Sequence, residues 1–149
     1  MPPDPSHLLD SLGLETPPIG LYDAPDATAF EPCVRPEPGR HTCLFAFYKD
    51  WLRGRTLHLT WEAHGCGGAA PCLFGRNERP PEDLVTFLVE EEGLKRSREL
   101  MMRWVERRPM QRPVHPNVLI GPLRPDQDAH LKSVTFFVDP DRLAALVVG

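Results

Sequence analysis

The residues of this chain best suited to chemistry lie together in His64-Gly65-Cys66-Gly67-Gly68-Ala69-Ala70-Pro71-Cys72. A thiolate is both a nucleophile and a soft metal ligand, and glycine lets backbone take positive φ or approach a ligand closely. Three glycines around one thiol mark Cys66 as a site residue, with Gly65, Gly67 and Gly68 as the backbone that would cradle a ligand or cofactor. His64, two residues earlier, suits a general base or a ligand. Cys66 and His64 are thus the candidate catalytic pair, with the Gly67 and Gly68 amides as oxyanion donors. His41-Thr42-Cys43 repeats the His-x-Cys spacing, and a thiol at a helix start is shifted toward thiolate by the positive end of the dipole. Cys43, Cys66, Cys72 and Cys33 are the candidate ligands for an iron–sulfur cluster or another thiophilic metal. Cys72 and Cys33 read equally well as packed structural residues, since free cysteine is often buried.

Other chemistries lack their patterns. No Cys-x-x-Cys pair is present, so the spacing of a zinc ribbon is missing. The Gly-x-Ser-x-Gly elbow fails in register, because the position two before Cys66 is His64. Gly67-Gly68 has neither dinucleotide-fingerprint spacing nor the Gly-Lys-Ser/Thr that ends a phosphate loop. Three classes remain: a cysteine-ligated metal or iron–sulfur protein, an enzyme with Cys66 as nucleophile, and a small-molecule or anion-binding module in which the thiols only pack.

Several elements must position these groups. Ser6 to Leu14 has leucines near helical spacing, and Ile19 to Tyr22 reads as a short strand. The Pro-rich stretch 23–40 reads as a loop that contains Cys33. Thr42 is expected to cap a helix from Cys43 to Arg53, with Leu44, Tyr48, Trp51 and Leu52 as its apolar stripe and Gly54 as its stop. Thr56 to Trp61 alternates, with Leu57, Leu59 and Trp61 on one face, as a half-buried strand would; it delivers the chain to His64, and His58 reads as an ordinary, partly exposed histidine. Pro80-Pro81 opens a helix through Asp83, Leu84, Phe87 and Leu88. A second helix over about 97–108 places Leu94, Met101, Trp104 and Val105 on one side. Its arginines read as a solvated face balanced by Glu90, Glu91, Glu92, Glu99 and Glu106. Val118 to Ile120 and Val134 to Val138 read as strands, and Asp139-Pro140 as the start of a last helix with Leu143, Leu146 and Val147 facing inward.

At 149 residues and 16.8 kDa the chain fits one domain over 1–149. The order of elements predicts a mixed α+β fold, with a sheet of about four strands packed by three to five helices. A net charge of −4 and a pI near 5.8 give no general attraction to nucleic acid or anionic membranes. No apolar run approaches the roughly 18 residues that span a bilayer, and Met1-Pro2-Pro3-Asp4-Pro5 lacks signal-peptide character. A cytoplasmic protein is expected, and the apolar last helix suggests a homodimer. In that compartment free thiols or metal ligands are more common than disulfides.

Four pieces together resemble an uncharacterised family, domain of unknown function family 169: Pro17-Pro18-Ile19-Gly20-Leu21; Cys43 at a helix head followed by Gly54-Arg55-Thr56-Leu57; His64-Gly65-Cys66-Gly67-Gly68; and Val134 through Leu143. The motifs are short, but their order and spacing span most of the chain. The resemblance implies that Cys43 and Cys66 occupy the family's cysteine positions, and it implies an archaeal or anaerobic setting that would suit a labile cluster. It also implies a C-terminal continuation in other members, so the chain reads as a short form or as part of a longer protein.

Overall fold

In the computed structural model, which describes residues 13–14, 16–76 and 79–148, the chain forms an α+β domain around one mixed sheet. Among the described residues the strands are β1 (Ile19–Ala24), β2 (Cys33–Val34), β3 (Thr56–Leu59), β4 (Asn117–Pro122) and β5 (Leu131–Thr135), in the order β2-β3-β4-β1-β5. β2 runs parallel to β3, and the other pairings are antiparallel. The sheet thus has five strands where about four were expected. The extra one is β2, inside the stretch read as loop, and it pairs Cys33 with Thr56. The last strand lies at 131–135, three residues earlier than the apolar run Val134 to Val138 indicated.

Strand period explains the two cores, because alternate residues face opposite sides. Ile19, Leu57, Leu59 and Val118 point to one face, where they meet Trp51, Leu44, Phe47, Tyr48, Leu73 and Phe74. Tyr22, Ala24 and Leu119 point to the other, where Ala27 and Phe30 cover them. All four residues of β3 are buried, His58 included, at 6% exposure. The expectation of a half-buried strand fails because Arg35 and Asn117 hold His58 on the face that alternation assigned to solvent, beside the lid that Ala27 and Phe30 form over Tyr22, Ala24 and Leu119.

The helices are α1 (Tyr48–Leu52), α2 (Ala70–Leu73), α3 (Glu82–Thr86), α4 (Arg98–Glu106) and α5 (Pro140–Val148). The expected helix over 43–53 is a 3₁₀ turn, Leu44–Phe47, followed by α1. Cys43 rather than Thr42 holds its cap position, without a side-chain cap hydrogen bond. Trp51 is buried, but Leu52 is exposed. α3 runs into a π-helical turn, Phe87–Glu91, closed by the Glu92 N–H donating to the Phe87 carbonyl at 3.0 Å. α4 starts where Ser97 accepts from the Leu100 N–H and buries Met101 and Val105. Leu94 and Trp104, expected on the same inward side, are about half exposed. Two arginines of this region pair with expected acids, Arg98 with Glu90 and Arg103 with Glu99, and Arg98 also takes Glu82, which the sequence had not marked. α3 and α4 thus share a small core of their own, with Val85, Met101 and Val105 at its centre. Asp139 caps α5 by accepting from the Arg142 N–H at 2.8 Å, as its sequence indicated. Leu143 is exposed rather than inward. The side chains of Leu146 and Val147, and most of the leucine-rich segment 6–14, lie outside the described residues.

Candidate functional site

β3 ends at Leu59, and the chain turns through Trp61 to reach Cys66. Gly65 has φ of +70°, a conformation that favours glycine. A Cβ there would also press on Pro36 at 3.2 Å and on the Thr42 carbonyl at 3.3 Å. Its own carbonyl accepts the Thr42 N–H at 2.8 Å. This bond joins the middle residues of the two His-x-Cys tripeptides, His41-Thr42-Cys43 and His64-Gly65-Cys66, and so sets their segments side by side. The Cys66 N–H then donates to the His64 carbonyl at 2.7 Å, and the Cys66 carbonyl accepts the Ala70 N–H at 2.9 Å. Cys66 is therefore the pivot between a tight turn and a single helical turn that leads into α2.

The glycines after Cys66 pack beside His41 and Leu84. A Cβ on Gly67 would lie 3.4 Å from the His41 ring, and one on Gly68 would lie 4.0 Å from Leu84. Next to them is a cleft of about 400 Å³ lined by His41, Asp83, Leu84 and Phe87. Its wall is the start of α3 and of the π-turn, a rare geometry often found at functional sites.

The imidazole that lines this cleft is His41. His64, the sequence choice for a base, lies against Trp61 at 5.3 Å between ring centroids, the rings tilted by 39°; Trp61 also meets Phe74 edge-on and carries the Arg76 guanidinium 3.9 Å from its ring centroid. The repeated His-x-Cys spacing was the available signal for His41. Asp83, Leu84 and Phe87 carried only a helix signal, because their role depends on how α3 packs.

The four cysteines are all free. Cys43 is exposed, and Cys66 is partly exposed. Cys72 is half-buried in α2, and its carbonyl accepts from the Gln111 N–H at 2.9 Å. Cys33 lies on the other face of the sheet, beside the start of β3 rather than its end. Its thiol is 3.5 Å from the Phe30 carbonyl and 3.9 Å from the Ala27 carbonyl. Burial pushes that thiol above its ordinary pKa, and the Glu31 carboxylate adds to the effect. The structure thus brings Cys43 and Cys66 onto neighbouring segments and keeps Cys33 apart. Among the described residues no group of three or more His, Cys, Asp or Glu side chains is gathered as a metal ion would require. α2 has only four residues, so it supplies little dipole to Cys66.

Among the described residues no helix is long and apolar enough to cross a membrane. Residues 7–149 match the family DUF169, described as uncharacterised ArCR. No curated protein and no solved structure matches the chain.

Proposed function

The chain belongs to the DUF169 family, and from that premise we propose that the cleft beside the Cys66 turn is a small-molecule site with a reactive thiol at its edge. Cys66 supplies the thiol, Cys43 a second thiol, and His41 the imidazole that exchanges protons with them. The observation that carries this reading is the Thr42 to Gly65 hydrogen bond, which aligns the two His-x-Cys tripeptides next to the cleft. A nearby imidazole converts a thiol into the reactive thiolate by accepting its proton. The amides of Gly67 and Gly68 open a helical turn, where N–H groups have no partner four residues back. In this reading they would receive negative charge that forms on a bound carbonyl or similar group. Small residues at both positions keep the approach to Cys66 open.

The test is alkylation by iodoacetamide, read cysteine by cysteine by mass spectrometry across pH 5 to 9. In the folded protein Cys66 is expected to react at neutral pH faster than in the urea-unfolded chain, and His41→Ala to slow it by about tenfold or more. Folded-state labelling of Cys66 no faster than in the unfolded chain would overturn the reading.

A cysteine-ligated metal or iron–sulfur centre is the second reading, favoured by the same pairing of two thiol-bearing segments. It would use Cys43 and Cys66 as first ligands and recruit Cys72 or His41. Cys33 fits it poorly from the opposite face. Metal and acid-labile sulfide per chain, measured after oxygen-free purification of the wild type and of Cys66→Ser, separate the two. Near-stoichiometric metal that disappears in the variant would establish the centre.

A further inference from the structure

The walls of the cleft differ in character, and the difference selects a ligand class. Leu84 and Phe87 form an apolar side, with Phe87 41% exposed although it is a large aromatic residue. Asp83 supplies the carboxylate and His41 the imidazole. The first turn of α3 carries two acids, Glu82 and Asp83. Arg98 from α4 takes Glu82 into an ion pair. Asp83 uses Oδ1 to accept the N–H of its own neighbour Leu84 at 2.9 Å, which leaves its second oxygen for a ligand. Gly67 and Gly68 adjoin two of its lining residues: a Cβ on Gly67 would meet the His41 ring at 3.4 Å and one on Gly68 would meet Leu84 at 4.0 Å, so a larger side chain at Gly68 would grow against the apolar wall. An apolar wall with one carboxylate beside it is complementary to a compact apolar cation, because the charge finds Asp83 while the body leaves water against Phe87 and Leu84.

We propose that this cleft binds a small primary amine that carries an aromatic or branched apolar group, its ammonium on Asp83 and its apolar part on Phe87 and Leu84. An aromatic ring would meet Phe87 offset or edge-on, the favoured geometry. The inference deepens the thiol-site reading, since it names what would be held next to Cys66, and it rests on that reading for the ligand's relation to the thiol.

The probe is benzylamine, titrated into the ¹⁵N-labelled protein and followed by amide chemical shifts, with benzoate as an anion of similar size. Saturable benzylamine shifts at Gly67, Gly68, Leu84 and Phe87 are expected, in the millimolar range for so small a ligand, with none from benzoate. Asp83→Asn should weaken benzylamine about tenfold, the effect of losing one charge-assisted contact. Gly68→Val should abolish the shifts while the rest of the spectrum stays native. Should the valine variant fail to fold, Asp83→Asn alone decides. Absence of saturable benzylamine shifts, equal binding of benzoate, or unchanged affinity in Asp83→Asn would overturn the inference. The two readings fail separately: ordinary Cys66 alkylation with intact benzylamine binding sinks the thiol site alone, and rapid Cys66 alkylation without benzylamine binding sinks the amine inference alone.

Discussion

On the face of the sheet that holds Cys33, polar groups are bound to one another. The Arg35 Nε–H donates to His58 Nδ1 at 2.9 Å, and His58 Nε2 lies 2.8 Å from Asn117 Oδ1. Arginine can only donate, so Nδ1 must accept and Nε2–H must donate onward. Asn117 then gives its amide hydrogens to the carbonyls of Ala24 and Pro25. Nearby, the Tyr22 hydroxyl accepts the Arg124 N–H at 2.7 Å, while the Arg124 guanidinium caps the carbonyls of Ala29, Phe30 and Glu31. Around Cys66 the same residue types stand differently. His41 borders a cleft, Cys43 is exposed and Cys66 partly so, and glycines flank Cys66 on both sides. A histidine and a cysteine thus serve as cement on one face and as accessible chemistry near the other. Residue type alone does not tell these roles apart; space and hydrogen-bond saturation do.

The strongest way to break this contrast is to wedge the cemented face. A Cβ on Gly121 would lie 2.8 Å from Thr56 Oγ1 and 3.0 Å from Thr56 Cα, between the paired strands β3 and β4. Backbone on one side leaves little room to yield. Gly121→Val is expected to cost about 3 kcal/mol or more, read as a large drop in the urea midpoint. A near-neutral result would show that β3 and β4 have slack the packing denies.

His58→Leu probes the same face more gently. It fills the site with apolar volume but strands the Asn117 carbonyl oxygen and the Arg35 donor, for an expected loss of about 1–3 kcal/mol. Alkylation of Cys66 should keep its wild-type rate in the folded variant, because the network touches the opposite side of the sheet. A coupled loss of Cys66 reactivity would join the two regions that the contrast separates.

Legibility followed the same division. The strands over 19–22 and 118–120 and the cap at Asp139 could be read, since each rests on local chemistry: a short apolar run, a carboxylate at a helix start, proline at its first turn. β2 could not, because a two-residue strand in a Pro-rich stretch exists only through its pairing with β3. His58 was misread for a related reason: it is buried and held by Arg35 and Asn117, 23 and 59 residues away in sequence. At the site, Gly65, Cys66 and the doubled His-x-Cys spacing were visible because backbone conformation and thiol chemistry are local. The cleft itself was not, since Leu84 and Phe87 reach it through the packing of α3 and the π-turn.

Tyr22 supplies a pH test of the cemented face. Burial raises its phenol above the ordinary 10.0, against the opposing influence of the Arg124 N–H. On raising the pH, the unfolded chain therefore loses the phenolic proton first. Stability from this group is complete below about pH 10 and falls as pH rises from there through the higher folded value. Tyr22→Phe should cost about 1 kcal/mol at neutral pH, from the lost hydrogen bond to Arg124, yet flatten the alkaline slope of the unfolding midpoint. A slope unchanged by the substitution would mean that the phenol ionises as readily folded as unfolded.

The smallest effect on stability is expected from the thiols, and it sharpens the contrast most directly. Cys66→Ser replaces a partly exposed group in a glycine turn whose backbone hydrogen bonds do not use the side chain, so the midpoint should move by no more than about 0.5 kcal/mol. Cys33→Ser should cost somewhat more, because its thiol sits against Ala27 and Phe30 in the covered face. Reactivity should run the other way. A raised pKa leaves Cys33 with a smaller thiolate fraction at pH 7 to 8, so it should alkylate last in the native protein and gain most as pH rises. Cys43 and Cys66 should precede it. If Cys33 were instead the first thiol modified, the lid over its face would have to open readily, and the division between a saturated face and an open cleft would describe packing at rest rather than chemistry in solution.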